Sequence, residues 1–178
     1  MKKGILLLII IILLCGCNNI SNDRDENLLE DEYQGEILKI GVVGSSLLPD
    51  VGNVQYEYVE LGKISKDNKK FDALIVTREA FVEADDVKFV DFYEKVDYPV
   101  FFLGMKDFQM FAFTNKNMTI ENSKDGNVAY VEGFRNFNGE REGVKLYKNA
   151  DEDSEEKMLV WIFNYINTNY LQPSSKKL

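Results

Sequence analysis

Hydrophobic and polar positions fall in blocks along this chain. Residues 5–14 are an unbroken apolar run behind Lys2 and Lys3. Residues 18–34 are polar and strongly acidic, interrupted by Leu28 and Leu29. Residues 37–43 form a β-rich apolar run ending at Gly44, which predicts a buried first strand. Residues 54–61 alternate: Val54, Tyr56 and Tyr58 face one way, Gln55 and Glu57 the other, which predicts a half-buried strand. A polar connection with at most one helical turn follows over 63–70. Residues 72–77 are a short, continuous apolar strand of the kind covered on both faces. Two overlapping apolar stripes predict helix over 78–96, with Asp85-Asp86 as a break and Asp85 capping the second piece. Residues 99–103 read as another buried strand, with Pro99 at its first position.

The pattern then changes. Residues 108–114, 127–134 and 143–148 read as strands joined by the turn-rich segments 122–126 and 136–139. No helix fits between them, so antiparallel pairing is expected. A helix is predicted over 153–170, with Asp153 and Glu156 as a capping box and Met158, Leu159, Ile162, Tyr165 and Ile166 as its buried stripe. Trp161 lies beside that stripe. The succession implies a single three-layer α/β domain with a mixed sheet, parallel early strands, antiparallel later strands and a C-terminal helix. Only about ten residues separate the first two strands, close to the shortest crossover that parallel strands allow. Parallel and antiparallel pairing therefore both stay open for them.

The start of the chain adds an address. A cationic start and a short apolar run describe a secretory signal, and the run falls short of the roughly 20 residues of a membrane span. Leu14-Cys15-Gly16-Cys17 resembles the lipobox of bacterial lipoproteins. The resemblance implies cleavage before Cys17, a diacylglyceryl group on its thiol and a place on the outer face of a membrane, where two acyl chains hold a protein stably. The expected layout is 1–16 signal peptide, 17–35 lipidated Cys17 and disordered acidic tether, 36–172 the α/β domain, and 173–178 a tail. Such a tether reaches on the order of 25 Å.

Composition narrows the chemistry. Cys15 and Cys17 are the two cysteines, so the mature domain has no thiol left for a disulfide. The chain has no histidine, which removes Ser-His-Asp and Cys-His catalysis and histidine metal ligation. Without Lys2 and Lys3, 19 basic residues face 30 acidic ones, a net charge of −11. Such a surface repels nucleic acid and anionic lipid. Nucleic acid, resident metal and cofactor are not expected. The acidic stretch 151–156 lacks the glycine and the length of a calcium loop and suits a helix N-terminus better.

Two groups remain as candidate contacts for a ligand or partner. Gly44, Ser45 and Ser46 follow the first strand and Thr77 ends the third, at strand ends where open α/β sheets bind ligands. The glycine-serine turn lacks the dinucleotide fingerprint and the P-loop lysine. Aromatics concentrate in the later strands, where core packing accounts for most of them, and Tyr130, Phe134 and Arg135 near the turn-rich side are the candidates there for a pocket or contact face.

The succession Leu38-Lys-Ile-Gly-Val-Val-Gly44, Phe71-Asp-Ala-Leu-Ile-Val-Thr77, Tyr98-Pro-Val-Phe-Phe102, Ala129-Tyr-Val-Glu-Gly-Phe134 and Val144-Lys-Leu-Tyr-Lys-Asn149 resembles a set of small, uncharacterised lipoproteins of Gram-positive bacteria. The resemblance covers nearly the whole mature chain and carries no activity with it. The early strands also look, more loosely, like one lobe of a solute-binding protein. The leading expectation is a non-enzymatic surface lipoprotein that binds a membrane or cell-surface protein. The alternatives are a small-ligand receptor using the strand ends, an exclusion or immunity lipoprotein of a mobile element and, last, an acid-based hydrolase.

Overall fold

The computed structural model describes residues 32–64, 70–126, 128–149 and 153–171. The expected signal segment, Cys17 and the tail 173–178 lie outside these residues. So do residues 17–31 of the expected tether.

Six strands form one mixed sheet: β1 (Leu38–Val43), β2 (Val54–Tyr58), β3 (Ala73–Thr77), β4 (Val100–Leu103), β5 (Val131–Phe137) and β6 (Glu140–Leu146). Their order is β2-β1-β3-β4-β5-β6. The first four are parallel, and β5 and β6 add antiparallel. The expected α/β class with a mixed sheet is what the chain forms. Period-two alternation divides the sheet residues between two cores. Ile40, Val42, Ala73, Ile75, Phe101 and Leu103 face the helix α4 (Glu155–Ile166). Val43, Leu74, Val76, Val100, Phe102 and Phe134 face α1 (Phe81–Ala84), α2 (Val90–Lys95) and α3 (Phe111–Thr114). Both faces of β3 and β4 are buried, which is why these strands read as continuous apolar runs.

The open question about β1 and β2 resolves as parallel, with Leu38 opposite Val54 and Val42 opposite Tyr58. No helix makes the crossover. The loop between them buries Leu48 and Val51 in the α4-side core. The tyrosines of β2 pin that loop: the Tyr58 hydroxyl accepts from the Leu48 N–H at 3.0 Å, and the Tyr56 hydroxyl donates to the Pro49 carbonyl at 3.0 Å. Ordered contacts begin before residue 36, since Tyr33 is buried 5.9 Å from the Phe163 ring.

Three local expectations need correction. Residues 108–114 are not a strand. Phe108 makes a single antiparallel bridge to Lys124, and α3 follows. Phe108, Ala112 and Phe113 are the buried apolar positions, a helical spacing, and the rings of Phe108 and Phe113 close on Phe81 at 5.6 and 5.2 Å. The helix expected over 78–96 breaks at Asp85-Asp86, as the sequence suggested, into α1 and α2, each led by a 3-10 turn. Asp86, not Asp85, caps the second piece, accepting from the Lys88 N–H at 3.0 Å. Asp85 accepts instead from the Ile120 N–H at 3.2 Å, and its burial raises its pKa. The C-terminal helix starts at Glu155 with Ser154 as its cap, accepting from the Lys157 N–H at 3.1 Å. Asp153, the expected cap, accepts from the Asn149 N–H at 2.8 Å and pairs with Lys157 at 2.9 Å.

The hairpin β5–β6 turns on Asn138 and Gly139, with φ of 53° and 82°, the two positive values that a two-residue type I′ loop requires. Within it Glu132 is buried. Its carboxylate accepts from the Met110 N–H at 2.7 Å and pairs with Lys145 at 2.8 Å. That arrangement ties α3 to the sheet.

Candidate functional site

The chain leaves β1 toward β2 on one side, while β3 lies on the other side of β1. This reversal opens a crevice beyond the carboxyl ends of β1 and β3, the place where open α/β sheets take ligands. A pocket of about 200 Å3 lies there. Ser46 and Leu48 line it from the β1–β2 loop, and Thr77, Arg78 and Glu79 from the end of β3. Leu103, Gly104 and Lys106 come from the end of β4, Tyr130 from the approach to β5, and Glu155 from the first turn of α4.

Gly44 makes the close approach possible. Its φ is +136°, and a Cβ there would stand 1.8 Å from Thr77 Oγ1. The bare backbone lets the loop after β1 lie against the end of β3. The Thr77 hydroxyl donates to Glu79 Oε2 at 2.7 Å and lies 3.2 Å from the Val43 carbonyl. Together with the Thr77 hydroxyl, the Glu79 N–H and the Ser46 hydroxyl hold the Glu79 carboxyl below its ordinary pKa. Glu79 is thus kept as an anion with its lone pairs engaged, the opposite of what a general acid needs.

Tyr130 is fixed from both ends. Its carbonyl accepts from the N–H groups of Gly104 and Met105 at 2.9 and 3.0 Å, and its hydroxyl donates to Glu155 Oε2 at 3.0 Å. Burial, followed by the Glu155 hydrogen bond, pushes the phenol up to about 12. The Lys148 ammonium stands 4.8 Å from the Tyr130 ring centre. Gly104 takes a φ of +90°, which favours glycine, and the aliphatic stem of Arg78 lies beside it, its Cβ and Cδ at ordinary contact distances of 3.4 and 3.9 Å from where a side chain would begin. Arg78 and Lys106 are exposed and have no carboxylate within ion-pair distance among the described residues.

A second hollow of about 370 Å3 continues past Tyr130, lined by Met105, Val128, Tyr147 and Lys148, and shares Lys106 and Tyr130 with the first. A larger hollow, about 500 Å3, borders β2 and Lys70. Its charged residues are matched with one another, Lys63 to Glu60 at 2.7 Å and Lys70 to Glu57.

Of the candidates read from sequence, Ser46, Thr77 and Tyr130 meet in the cleft. Gly44 supports it from behind, and Ser45 sits in the same exposed turn without lining the pocket. Phe134 and Arg135 go elsewhere. Phe134 is in the core 6.3 Å from the Tyr93 ring, with the Arg141 guanidinium 4.5 Å over it. Arg135 lies over the rings of Phe137 and Tyr170 at 4.2 and 4.7 Å. Arg78, Glu79, Lys106 and Glu155 were missed. The first three follow the ends of β3 and β4 directly, so the rule that singled out Thr77 applies to them as well.

Among the described residues, no three carboxylates or other metal-ligating side chains gather. No helix in them is long and apolar enough to cross a membrane. No protein-family model matches the chain, and comparisons with curated proteins and with solved structures give no match.

Proposed function

We propose that this chain is a non-enzymatic, lipid-tethered binding module that takes a small ligand in the cleft at the carboxyl edge of its sheet. The observation that carries the reading is the convergence of Ser46, Thr77 and Tyr130 with Arg78 and Lys106, which have no carboxylate within ion-pair distance among the described residues, at the point where strand order reverses. A concave site with a few converging polar groups is the usual form of a small-molecule site. The lipobox-like Leu14–Cys17 stretch supports the tether, and the lack of histidine and of a mature thiol supports binding over catalysis. Glu79, held as an anion, is not available as a general acid.

A thermal-shift screen of the full chain in neutral detergent, against amino acids, sugars, peptides and organic acids, tests the site. A ligand at a hundred times its Kd adds about 2.7 kcal/mol, a readily visible shift. One class of compound is expected to raise the Tm saturably, and Tyr130→Ala is expected to remove the effect. A uniform null across the screen contradicts the reading. For the tether, labelled fatty acid is expected to enter the wild type and Cys15→Ser but not Cys17→Ser.

A second reading, docking of a membrane protein over the same edge, is favoured by one observation. Leu47, Val82 and Tyr147, all on segments leaving the carboxyl edge, are 83%, 85% and 50% exposed. A pull-down from solubilised membranes that loses its partner on Leu47→Ser and Val82→Ser would support docking, and recovery of no specific partner would contradict it.

A further inference from the structure

Resting on the reading that the carboxyl-edge cleft is a ligand site, we propose that its ligand is an organic anion, a carboxylate or phosphate group on a compact apolar body seated across Tyr130. The hydrogen-bonding groups within the cleft carry the argument. Both acids there already have donors: Glu79 the Thr77 and Ser46 hydroxyls, Glu155 the Tyr130 hydroxyl. Both cations of the first pocket, Arg78 and Lys106, have no carboxylate partner among the described residues.

Acids outnumber bases by nine, and lysines such as Lys88, Lys116, Lys124 and Lys157 each stand within 3 Å of a carboxylate, whereas Arg78 and Lys106, like Lys39, Arg135, Arg141 and Lys148, have none within ion-pair distance among the described residues. A cation without a partner in an acid-rich protein is a place where an external anion gains the most. The stem of Arg78 lies beside Gly104, and its planar fork can engage two oxygens of one acid.

The neighbouring hollow defines the rest of the ligand. Lys106 and Tyr130 belong to both hollows, and beyond them the partly buried Val128 offers apolar surface, with the buried Met105 beneath. An acid group between Arg78 and Lys106 places its attached body along the Tyr130 ring. The ring's other neighbour is the Lys148 ammonium, 4.8 Å from its centre, which adds a third positive charge to the approach. A cationic ligand would meet these three cations, and the Glu79 and Glu155 carboxylates that could accept its hydrogen bonds already have hydroxyl donors.

Four probes that share one ring and differ in charge test the inference: phenylacetate, phenyl phosphate, 2-phenylacetamide and phenethylamine. Each is titrated calorimetrically into the full chain in neutral detergent, in a buffer free of carboxylate and phosphate. At least one anion is expected to bind saturably, about tenfold more tightly than the amide, and the amine is expected not to bind. Arg78→Gln and Lys106→Gln should each weaken the anions by about fivefold or more and leave the amide unchanged. Both side chains are exposed, so unaltered thermal unfolding of the variants is the check on folding. Added salt should weaken the anions alone. The ranking of phenylacetate against phenyl phosphate assigns the acid group. An amide or amine that binds as tightly as the anions, and loses binding in Tyr130→Ala, overturns the anion and leaves the cleft as a ligand site. Anions that ignore Arg78→Gln and Lys106→Gln overturn the proposal, as does the absence of binding by all four probes. In that last case the wider thermal-shift screen decides separately whether the cleft binds anything.

Discussion

Replacing Gly44 with alanine is expected to damage both the fold and the cleft, by an amount that the structure sets. The backbone there has φ of +136°, which a side chain rarely adopts. Holding a non-glycine residue in such a region costs about 1–3 kcal/mol. The new Cβ would also fall 1.8 Å from Thr77 Oγ1 and 3.1 Å from Thr77 Cβ. The hydroxyl must therefore swing away from Glu79, losing a hydrogen bond that contributes about 1 kcal/mol. The expected total is about 2–4 kcal/mol. Urea unfolding followed by the fluorescence of the single tryptophan, Trp161, which stacks on Tyr165 at 5.2 Å, reads the loss directly. The second half of the test is a double-mutant cycle. With Thr77→Ala in place the overlapping oxygen is gone, so Gly44→Ala should cost less by about 1 kcal/mol. A loss under about 0.5 kcal/mol in the wild type, or an identical loss in both backgrounds, would refute the claim that Gly44 is there to admit Thr77.

Phe102→Ala should cost about 3–5 kcal/mol by urea unfolding, because this fully buried ring stacks on Phe113 at 4.3 Å and also meets Phe81 and Tyr93. A cost under 2 kcal/mol would mean that the core on this face collapses around the gap. Ser154→Ala should cost about 1 kcal/mol through the lost α4 cap, whereas Asp153→Ala should leave the helix start in place by circular dichroism. Stability should also fall on the alkaline side. Burial pushes the phenols of Tyr33, Tyr98 and Tyr130 from 10.0 up to about 12. The folded state then holds protons that the unfolded state releases, so this contribution is complete below pH 10 and is lost as pH rises toward 12. Urea midpoints measured between pH 8 and 11.5 should decline above 10, and a flat profile would contradict the burial of these hydroxyls.

The sheet was legible wherever periodicity was unambiguous. Residues 37–43, 72–77 and 99–103 read as buried strands because their apolar runs are too short for helices, and they form β1, β3 and β4. The crossover from β1 to β2 was not legible. It is held by tyrosine hydroxyls on loop backbone, an arrangement that leaves no trace in an apolar pattern. Residues 108–114 misled for a related reason: phenylalanines favour strands, but the partners that decided the outcome, Phe81 and Glu132, are distant in sequence. Within the site, Thr77 and Ser46 could be read from their place at strand ends. Phe134 and Arg135 failed because period two sends neighbours on β5 to opposite faces, one into the core and the other onto Tyr170. Glu155 was legible only as a helix-start acid, and its bond to Tyr130 required the fold.

The most direct test of the account is to map binding by backbone amide shifts in the isotope-labelled full chain, titrated with phenyl phosphate and phenylacetate. Binding in the cleft predicts saturable changes at Ser46, Thr77, Arg78, Gly104, Lys106 and Tyr130, with one common Kd. Saturable changes confined to the hollow beside β2 and Lys70, or spread evenly over the surface, would contradict it.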